Sequence, residues 1–293
     1  MSVPVAFIGI ILIWSTTPLA IKWSAEDVGF LFGVASRMML GTMLCIILMT
    51  LLGRKLSFNR AALHVYLAGG VGVFGAMLCV YWAAQYISSG LISVLFGLTP
   101  IVTGLIAAVF LGEKAFTLSR LMGVTLGIIG LAVIFSQRIN LGEHLILGVI
   151  GVLSAVLMHS ISGVWVKSLG INMSALEVTT GSLLFSAPLY FLVWWIFDGQ
   201  FPEAISERAL GGIVYLGTFG SVLGFILYFY VLKHIEASRV ALVTLITPVL
   251  ALLLGHQLNN EVLNLEVWLG SGCILSGMLL YQWGSRLDAI YSS

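Results

Sequence analysis

The chain contains ten runs of mostly apolar residues, and this feature restricts its possible folds more than any other. A helix needs about 20 apolar residues to cross the hydrocarbon core of a bilayer, which is roughly 30 Å thick. Short charged or turn-rich breaks separate the runs, which lie approximately at 3–22, 28–52, 62–85, 88–111, 118–136, 144–167, 174–197, 209–231, 237–257 and 266–284. We therefore expect an all-α integral membrane protein with ten transmembrane helices.

The low charge content excludes a soluble globular fold. Of the 293 residues, 60% are hydrophobic and 9% are charged, whereas roughly 25% of the residues in soluble domains are charged. So few charges cannot cover a soluble surface, and lipid must be the solvent for most of it. The net charge of +1 gives no indication of a nucleic-acid partner. No zinc-site spacing and no phosphate-binding glycine loop occurs, so we expect no metal and no cofactor.

The distribution of Lys and Arg predicts the orientation of the chain. With a cytoplasmic N-terminus, nine of the 13 basic residues fall in cytoplasmic loops, three fall outside, and Arg37 lies within the second run. Cytoplasmic loops carry an excess of Lys and Arg, so this distribution favours ten spans with both termini in the cytoplasm. The first run lacks the basic start and the cleavage site of a signal peptide. Together with the short loops, this predicts a multi-pass protein of a bacterial inner (plasma) membrane.

The two halves of the chain resemble each other. A shift of 148 residues lays 98–113 on 246–261 and pairs Thr99 and Pro100 with Thr247 and Pro248. The same shift pairs further residues: Gly69 with Gly217, Gly72 with Gly220, and Glu113 with Glu261. Because five spans per half is an odd number, the second half must be inverted relative to the first. The predicted units are residues 1–140 and 141–293, which form two inverted five-helix repeats.

Three segments carry a resemblance to a known family. LIWSTTPLAIK ends the first run, ASRMML places an Arg in the second, and LTPIVTGLIAAVFLGEKAFTLSRLMGVTLGIIGLAVIF covers the fourth and fifth. Over the whole chain, this pattern is similar to that of the drug/metabolite transporter superfamily, in its ten-helix EamA-type branch. The second copy is looser, since NNE replaces LGE and the tenth run has lost one residue.

The resemblance implies a fold and a mechanism, and it leaves the substrate open. It implies two inverted five-helix repeats around a central cavity that helices 1, 3, 4, 6, 8 and 9 line. It also implies alternating access without ATP hydrolysis. Amino acids, nucleosides and other metabolites are all carried within the superfamily.

Aromatic and hydroxyl residues that share helical faces are candidates for substrate binding. On the first run Trp14 and Thr17 lie about one turn apart, and their repeat mates are His159 and Ser162. The other candidates lie on runs three, four, eight and nine: Tyr81, Trp82, Phe96, Thr99, Tyr228, Tyr230, Thr244 and Thr247. They predict an aromatic cavity edged with hydroxyls, suited to a substrate with flat and polar parts. An aromatic belt at the interface and threonines bonded to their own helix are the alternatives.

Three prolines interrupt apolar runs. Pro18, Pro100 and Pro248 each remove a backbone donor and free a carbonyl group within a span. Irregular backbone is tolerated in a membrane where it lines a cavity or packs on neighbouring helices. Because Pro100 and Pro248 occupy matching positions, we interpret these prolines as hinges, with a packing kink as the alternative.

Two residues inside the spans can carry charge. Arg37 lies about nine residues into the second run, where a guanidinium costs on the order of 2.5–3.5 kcal/mol unless it is paired or hydrated. It either recognises a substrate carboxylate or phosphate, or serves as a structural tie. His159 lies in mid-span and titrates near neutrality, so it either meets the substrate or a proton, or is a satisfied core histidine.

The positions of the acidic residues bear on mechanism. Exchange of cationic drugs for protons needs a carboxylate deep in the membrane, and among the twelve acids only Glu177 lies inside a predicted span. Glu113 and Glu261 end the fourth and ninth runs, where structural caps or loop contacts are expected. Gly123 and Gly127 form a G-x-x-x-G motif, which predicts close packing within the bundle and only secondarily a dimer face.

The resulting hypothesis is a secondary transporter that exports a small neutral or zwitterionic metabolite, such as an amino acid or a related compound. The alternative is proton-coupled efflux of cationic drugs. Exchange of phosphorylated sugars has only Arg37 in its favour, and an enzyme acting on lipid lacks a clustered acid, base or metal site. The expected partners are the small-molecule substrate and the lipid bilayer, with the protein a monomer or a weak homodimer.

Overall fold

The computed structural model describes residues 2–112, 118–136, 144–170, 172–245, 247–261 and 264–291. All regular secondary structure in these segments is helical. The helices are α1 (Val3–Ala25), α2 (Phe30–Leu51), α3 (Arg60–Ala83), α4a (Ser89–Phe96), α4b (Thr99–Leu111), α5 (Leu118–Ser136), α6 (His144–Ser168), α7 (Ala175–Phe197), α8 (Glu207–His234), α9a (Ala237–Val240), α9b (Thr247–Asn259) and α10 (Leu265–Tyr291).

Seven helices of the described chain are long and apolar enough to cross a membrane. They are α1, α2, α3, α4a with α4b, α6, α7 and α8. The prediction of an all-α integral membrane fold is thereby confirmed. The helices α5, α9a with α9b, and α10 occupy the sequence positions of the other three predicted spans. The total of ten spans and the cytoplasmic location of both termini stay predictions.

Both α3 and α8 contain a π-helical segment, at corresponding places in the two halves. The segments are Gly72–Ala76 in α3 and Leu216–Leu223 in α8, and they overlap under the shift of 148 residues. A π segment widens the helix by one residue per turn and frees backbone carbonyl groups. In α3, the hydroxyl of Tyr190 on α7 donates to the carbonyl groups of Val73 and Phe74, at 2.7 and 2.9 Å. The buried tyrosine therefore stabilises this irregular turn.

The two Thr-Pro steps mark interruptions of the fourth and ninth spans. α4a ends at Phe96, and α4b begins at Thr99 with a proline in its first turn. In the other half, a 3-10 helix covers Ala241–Leu245 before α9b begins at Thr247. The first turn of a helix needs no hydrogen bond from its N–H groups, so proline is well placed there. Pro18, by contrast, lies inside the continuous helix α1.

Glycines bring α5 and α10 into close contact. A Cβ atom on Gly130 would lie 2.5 Å from the carbonyl oxygen of Gly270, and one on Gly277 would lie 2.5 Å from that of Gly123. Only glycine permits such an approach of two helix backbones. The prediction that Gly123 and its motif serve packing within the bundle is confirmed, with α10 as the partner helix.

Two lysines close the ends of α3 and α8 in the same manner. Lys22 Nζ donates to the carbonyl of Ile87 at 2.9 Å, and Lys167 Nζ donates to the carbonyl of Ile235, also at 2.9 Å. Carbonyl groups near a helix C-terminus lack partners within the helix, and a lysine ammonium can satisfy them. The lysines are mates under the sequence repeat, and so are the residues whose carbonyls they bind.

Candidate functional site

A cavity lies in the middle of the bundle, and the space free of protein atoms in and around it, including open solvent at its mouth, is about 820 Å³. Helices 1, 3, 4, 6, 8 and 9 all contribute to its wall, and Arg37 adds a contribution from α2. The predicted residues that line it are Trp14, Thr17, Pro18, Arg37, Phe96, His159, Ser162, Tyr228, Thr244 and Thr247. A smaller pocket adjoins it, shares Trp14, His159, Tyr228 and Thr244, and adds Thr99.

Four aromatic rings form one side of this cavity. The His159 ring lies 5.7 Å from Trp14, 5.1 Å from Tyr228 and 6.4 Å from Phe96, measured between ring centroids. The rings of Trp14 and Tyr228 are 5.5 Å apart. These rings come from α1, α4a, α6 and α8, and we call them the aromatic cluster. Tilted and edge-on rings at such distances attract one another and offer a flat ligand both faces and edges.

Three of the cavity hydroxyls donate their hydrogen atoms to backbone carbonyl groups. Thr17 donates to the carbonyl of Ile13 and Thr244 to that of Ala241, at 2.8 and 2.7 Å. Ser162 donates across the bundle to the carbonyl of Ala68 on α3, at 2.7 Å. The threonines thus bond their own helix, the alternative foreseen for them. Their oxygen lone pairs stay available as acceptors, while their hydrogen atoms are already engaged.

Arg37 is the cation of the cavity wall. It lies near the first third of α2 and is 1% exposed. Its Nε and Nη2 atoms both donate to the hydroxyl of Ser221 on α8, at 3.3 and 3.2 Å, and its guanidinium lies 5.8 Å from the ring centroid of Tyr81. Nη1 has no hydrogen-bond partner among the described residues. The side chain therefore stays inside the bundle and does not reach for a membrane surface.

Three candidate residues lie away from the central cavity. Tyr81 is fully buried, and its hydroxyl shares a hydrogen bond of 2.8 Å with Ser24. Trp82 faces α6 and packs edge-on against Tyr86 at 5.2 Å. The ring of Tyr230 lies 4.3 Å from that of His234.

Helical spacing explains this displacement. The cavity wall includes Val80 of α3 and Tyr228 of α8. Trp82 and Tyr230 each lie two residues further along the same helix, which turns by roughly 200° over two residues. The structure therefore places the side chains of Trp82 and Tyr230 on another face of their helices, away from the cavity wall.

The two acids that could matter for proton coupling are tied to backbone near helix ends. Glu177 accepts from the N–H of Ser57 at 3.0 Å, next to the start of α7. Glu261 is buried and accepts from the N–H groups of Ser89 and Gly90 at the start of α4a. The cap expected at Glu261 is thus confirmed, whereas Glu113 lies outside the described residues. Neither acid lines the central cavity.

Sequence reasoning did not identify Ser221, the hydrogen-bond partner of Arg37. Its repeat mate is Val73, so the internal repeat contains no signal for it. Its role arises because the π segment of α8 turns Ser221 towards α2 while Gly220 next to it leaves room for the guanidinium. A Cβ atom on Gly220 would lie 3.1 Å from Arg37 Nη2.

A cavity between discontinuous and π-containing helices, inside a bundle of apolar spans, defines a multi-pass membrane transporter. The chain belongs to the EamA-like transporter family, whose sequence pattern matches residues 1–136 and 146–282. This family is part of the drug/metabolite transporter superfamily, so the resemblance noted in the sequence is confirmed.

Related proteins agree with this assignment. The chain is 26% identical to the uncharacterized transporter YoaV of Bacillus subtilis, over 96% of each chain. It is 26% identical to protein PagO of Salmonella typhimurium, over 94% of this chain and 93% of PagO. It is 25% identical to the uncharacterized inner membrane transporter YedA of Escherichia coli, over 96% and 91%. A crystal structure of a protein with 20% identity has the same fold, with a TM-score of 0.73 over 98% of this chain and 99% of the other.

Proposed function

We propose that this protein is a secondary transporter of the bacterial inner membrane that exports a small neutral or zwitterionic metabolite, an amino acid or a related compound, by alternating access. The observation that carries the proposal is the central cavity, which combines the aromatic cluster, hydroxyl acceptors and one guanidinium. Such a wall suits a ligand with a flat part and a polar part. The name of the relative in Escherichia coli supports the inner membrane as its location.

Alternating access requires two units that move against each other, and several features support two related units. The family pattern matches the chain in two segments, on either side of residue 140. The π segments, the Thr-Pro helix starts and the lysine caps recur at corresponding positions of residues 1–140 and 141–293. Inverted repeats with a site at their interface are a recurring plan of secondary transporters.

Proton-coupled efflux of cationic drugs is the alternative, and the cavity wall favours it less. Exchange of a cation for protons requires a carboxylate that both can reach, yet no Asp or Glu occurs among the residues that line the cavity. The wall carries the positive charge of Arg37 in that place. An enzymatic function has even less support, because the described residues contain no group of His, Cys, Asp and Glu able to hold a metal.

Transport in proteoliposomes tests the proposal. Liposomes with purified protein are loaded with unlabelled amino acids or aromatic metabolites, and labelled substrate is added outside, with and without a pH gradient. We expect accumulation of label without ATP for at least one such metabolite. Trp14→Ala should lower the initial rate at least tenfold, because the aromatic cluster loses its largest ring.

The matched control is Trp195→Ala, since this tryptophan is 61% exposed on the surface of α7 and should leave the rate near that of the wild type. If no metabolite of this class accumulates, while a cationic drug moves only when a pH gradient is imposed, the alternative function is correct.

A further inference from the structure

We propose that the cavity contains a carboxylate-binding subsite at Arg37, and that this transporter recognises its substrate by a carboxylate and not by an ammonium group. The inference deepens the proposed function, because it names the chemical class of molecule that the same cavity accepts. That class consists of small zwitterions in which a carboxylate is attached to a flat or apolar body.

The first argument is the free donor on Arg37. The guanidinium has three nitrogen atoms, of which Nε and Nη2 share the single hydroxyl of Ser221, while Nη1 has no partner in the described chain. The residue is 1% exposed and belongs to the cavity wall. A buried charged donor without an acceptor is costly, so a built site of this kind points to a ligand that supplies the acceptor.

The second argument is the absence of a counter-charge within the described residues. The two salt bridges found there, Arg208 with Glu26 and Arg239 with Glu236, involve exposed side chains far from the cavity wall. A monoanion in the cavity would neutralise Arg37, whereas a cation would add a second positive charge at low dielectric. A planar guanidinium also matches the geometry of a carboxylate, which can accept two parallel N–H bonds from it.

The third argument is a second N–H group beside the first. A Cβ atom on Gly220 would lie 3.1 Å from Arg37 Nη2, and one on Gly224 would lie 3.3 Å from the indole Nε1 of Trp14. Gly220 and Gly224 are four residues apart on α8, so both N–H groups lie against the same stretch of this helix. A carboxylate that reaches both groups would accept a second hydrogen bond, from the indole, at about 2.8 Å.

The rest of the cavity wall suits the part of the ligand that is not the carboxylate. The hydroxyl hydrogens of Thr17, Ser162 and Thr244 are bonded to backbone, so they do not compete for the carboxylate. The rings of His159 and Tyr228 lie beside Trp14 and form an apolar, flat surface. A carboxylate held at Arg37 would therefore leave its attached ring or alkyl body against the aromatic cluster.

Four matched ligands test this inference on the wild-type protein. They share an indole body and differ in the polar end: indole-3-propionate has only a carboxylate, tryptophan has both groups, tryptamine has only an ammonium, and indole-3-propionamide has neither. Benzoate and benzamide form a smaller pair. Each is added at the same millimolar concentration to purified protein in detergent, and the midpoint of thermal unfolding is measured. We expect the carboxylates to raise the midpoint and their uncharged or cationic counterparts to leave it unchanged.

Variants then assign the effect to the subsite. Arg37→Gln should abolish the shift caused by carboxylates, and Trp14→Phe, which keeps a ring and removes the indole N–H, should weaken their binding about tenfold. Arg54→Gln, at an exposed arginine, should keep the full shift. The Trp14→Phe variant also tests the subsite if Arg37→Gln does not fold.

The inference is overturned if no carboxylate stabilises the wild type more than its matched amide or amine, or if Arg37→Gln retains the carboxylate shift. The proposed function fails separately. If tryptamine is transported as fast as tryptophan, the proposed subsite is wrong and the proposed transport function stands. If carboxylates bind but nothing is transported in proteoliposomes, the transport function is wrong and the subsite stands.

Discussion

Arg37 shows how one charged side chain is retained inside an apolar bundle. Its guanidinium is bonded to Ser221 of α8 and lies near the ring of Tyr81 of α3. The hydroxyl of Ser221 satisfies two of its three nitrogen atoms, and the residue forms part of the cavity wall. Ser221 also donates towards the sulfur of Met38, at 3.7 Å. A single hydroxyl on α8 therefore orients the charge of α2.

This arrangement predicts the effect of Ser221→Ala. Removal of the hydroxyl leaves two further buried donors of Arg37 without an acceptor, so the free energy of unfolding should fall by about 1–3 kcal/mol. Thermal unfolding in detergent measures the change. The control is Ser168→Ala, because Ser168 is exposed and bonds only to the carbonyl of Trp165 in its own helix. Equal stability of the two variants would contradict the orienting role of Ser221.

At the scale of the element, the π segment of α8 changes which side chains reach the cavity. The cavity side of α8 passes from Gly220 to Phe225, a step of five residues, whereas that of α3 keeps the usual spacing through Val73 and Met77. In α3 the π segment brings the backbone against α6, because a Cβ atom on Gly72 would lie 2.4 Å from Cβ of Ser162. The shape of the cavity thus depends on local departures from α-helical geometry.

Two glycine substitutions on equivalent helices test this view. Gly72→Ala should destabilise the protein by about 1–3 kcal/mol, because the added methyl group overlaps Ser162 and forces α3 and α6 apart. Gly211→Ala, in α8, meets nothing within 4 Å and should be neutral or stabilising by up to about 1 kcal/mol. Thermal unfolding midpoints and proteoliposome rates of both variants give the comparison. If Gly72→Ala unfolds at the same temperature as the wild type, α3 and α6 can move apart without loss of stability.

At the scale of the whole molecule, polar contacts join segments far apart in the sequence at one end of the bundle. Glu261 accepts from the N–H groups of Ser89 and Gly90, at 3.0 and 3.3 Å, while Lys22 donates to the carbonyl of Ile87. We call these contacts the Lys22–Glu261 cluster, and they connect the end of α1 and the end of α9b to the start of α4a. Tyr81, whose hydroxyl shares a hydrogen bond with Ser24, lines a separate pocket at this end together with Lys22.

The cluster predicts how the protein responds to Glu261→Gln. The amide has one acceptor oxygen in place of two and no charge, so the contact between α9b and α4a weakens and this end should open more often. A cysteine placed at Thr17 reports the change through its rate of labelling by a membrane-impermeant maleimide. We expect labelling from the Lys22 side to rise severalfold. The background variant lacks the native cysteines Cys45, Cys79 and Cys273.

The control for this experiment is Glu203→Gln, which changes an exposed carboxylate without a role in the cluster. Its labelling rate should equal that of the background. A higher rate from the opposite side of the membrane, or no change with Glu261→Gln, would show that the Lys22–Glu261 cluster does not keep this end closed.

Much of the fold could be predicted because insertion of a helix into a membrane depends on the hydrophobicity of that segment alone. Apolar runs of about 20 residues predicted the helices, and the paired Thr-Pro steps predicted matching irregularities in the fourth and ninth spans. The cavity positions of Trp14 and His159 could also be predicted, because α1 and α6 are continuous helices without a π segment. Tyr230 and Trp82 lie away from the cavity, because they share no helix face with Tyr228 and Val80.

What the sequence by itself determined is therefore the membrane as solvent, the helical class and the family, since each depends on hydrophobic runs and motifs within single segments. The tertiary structure alone decided that Ser221 binds Arg37 and that Glu261 caps α4a. Each of these contacts joins residues separated by more than 170 positions or depends on a π segment. Contacts of that kind follow from how helices pack and rotate against one another, which no local pattern of residues encodes.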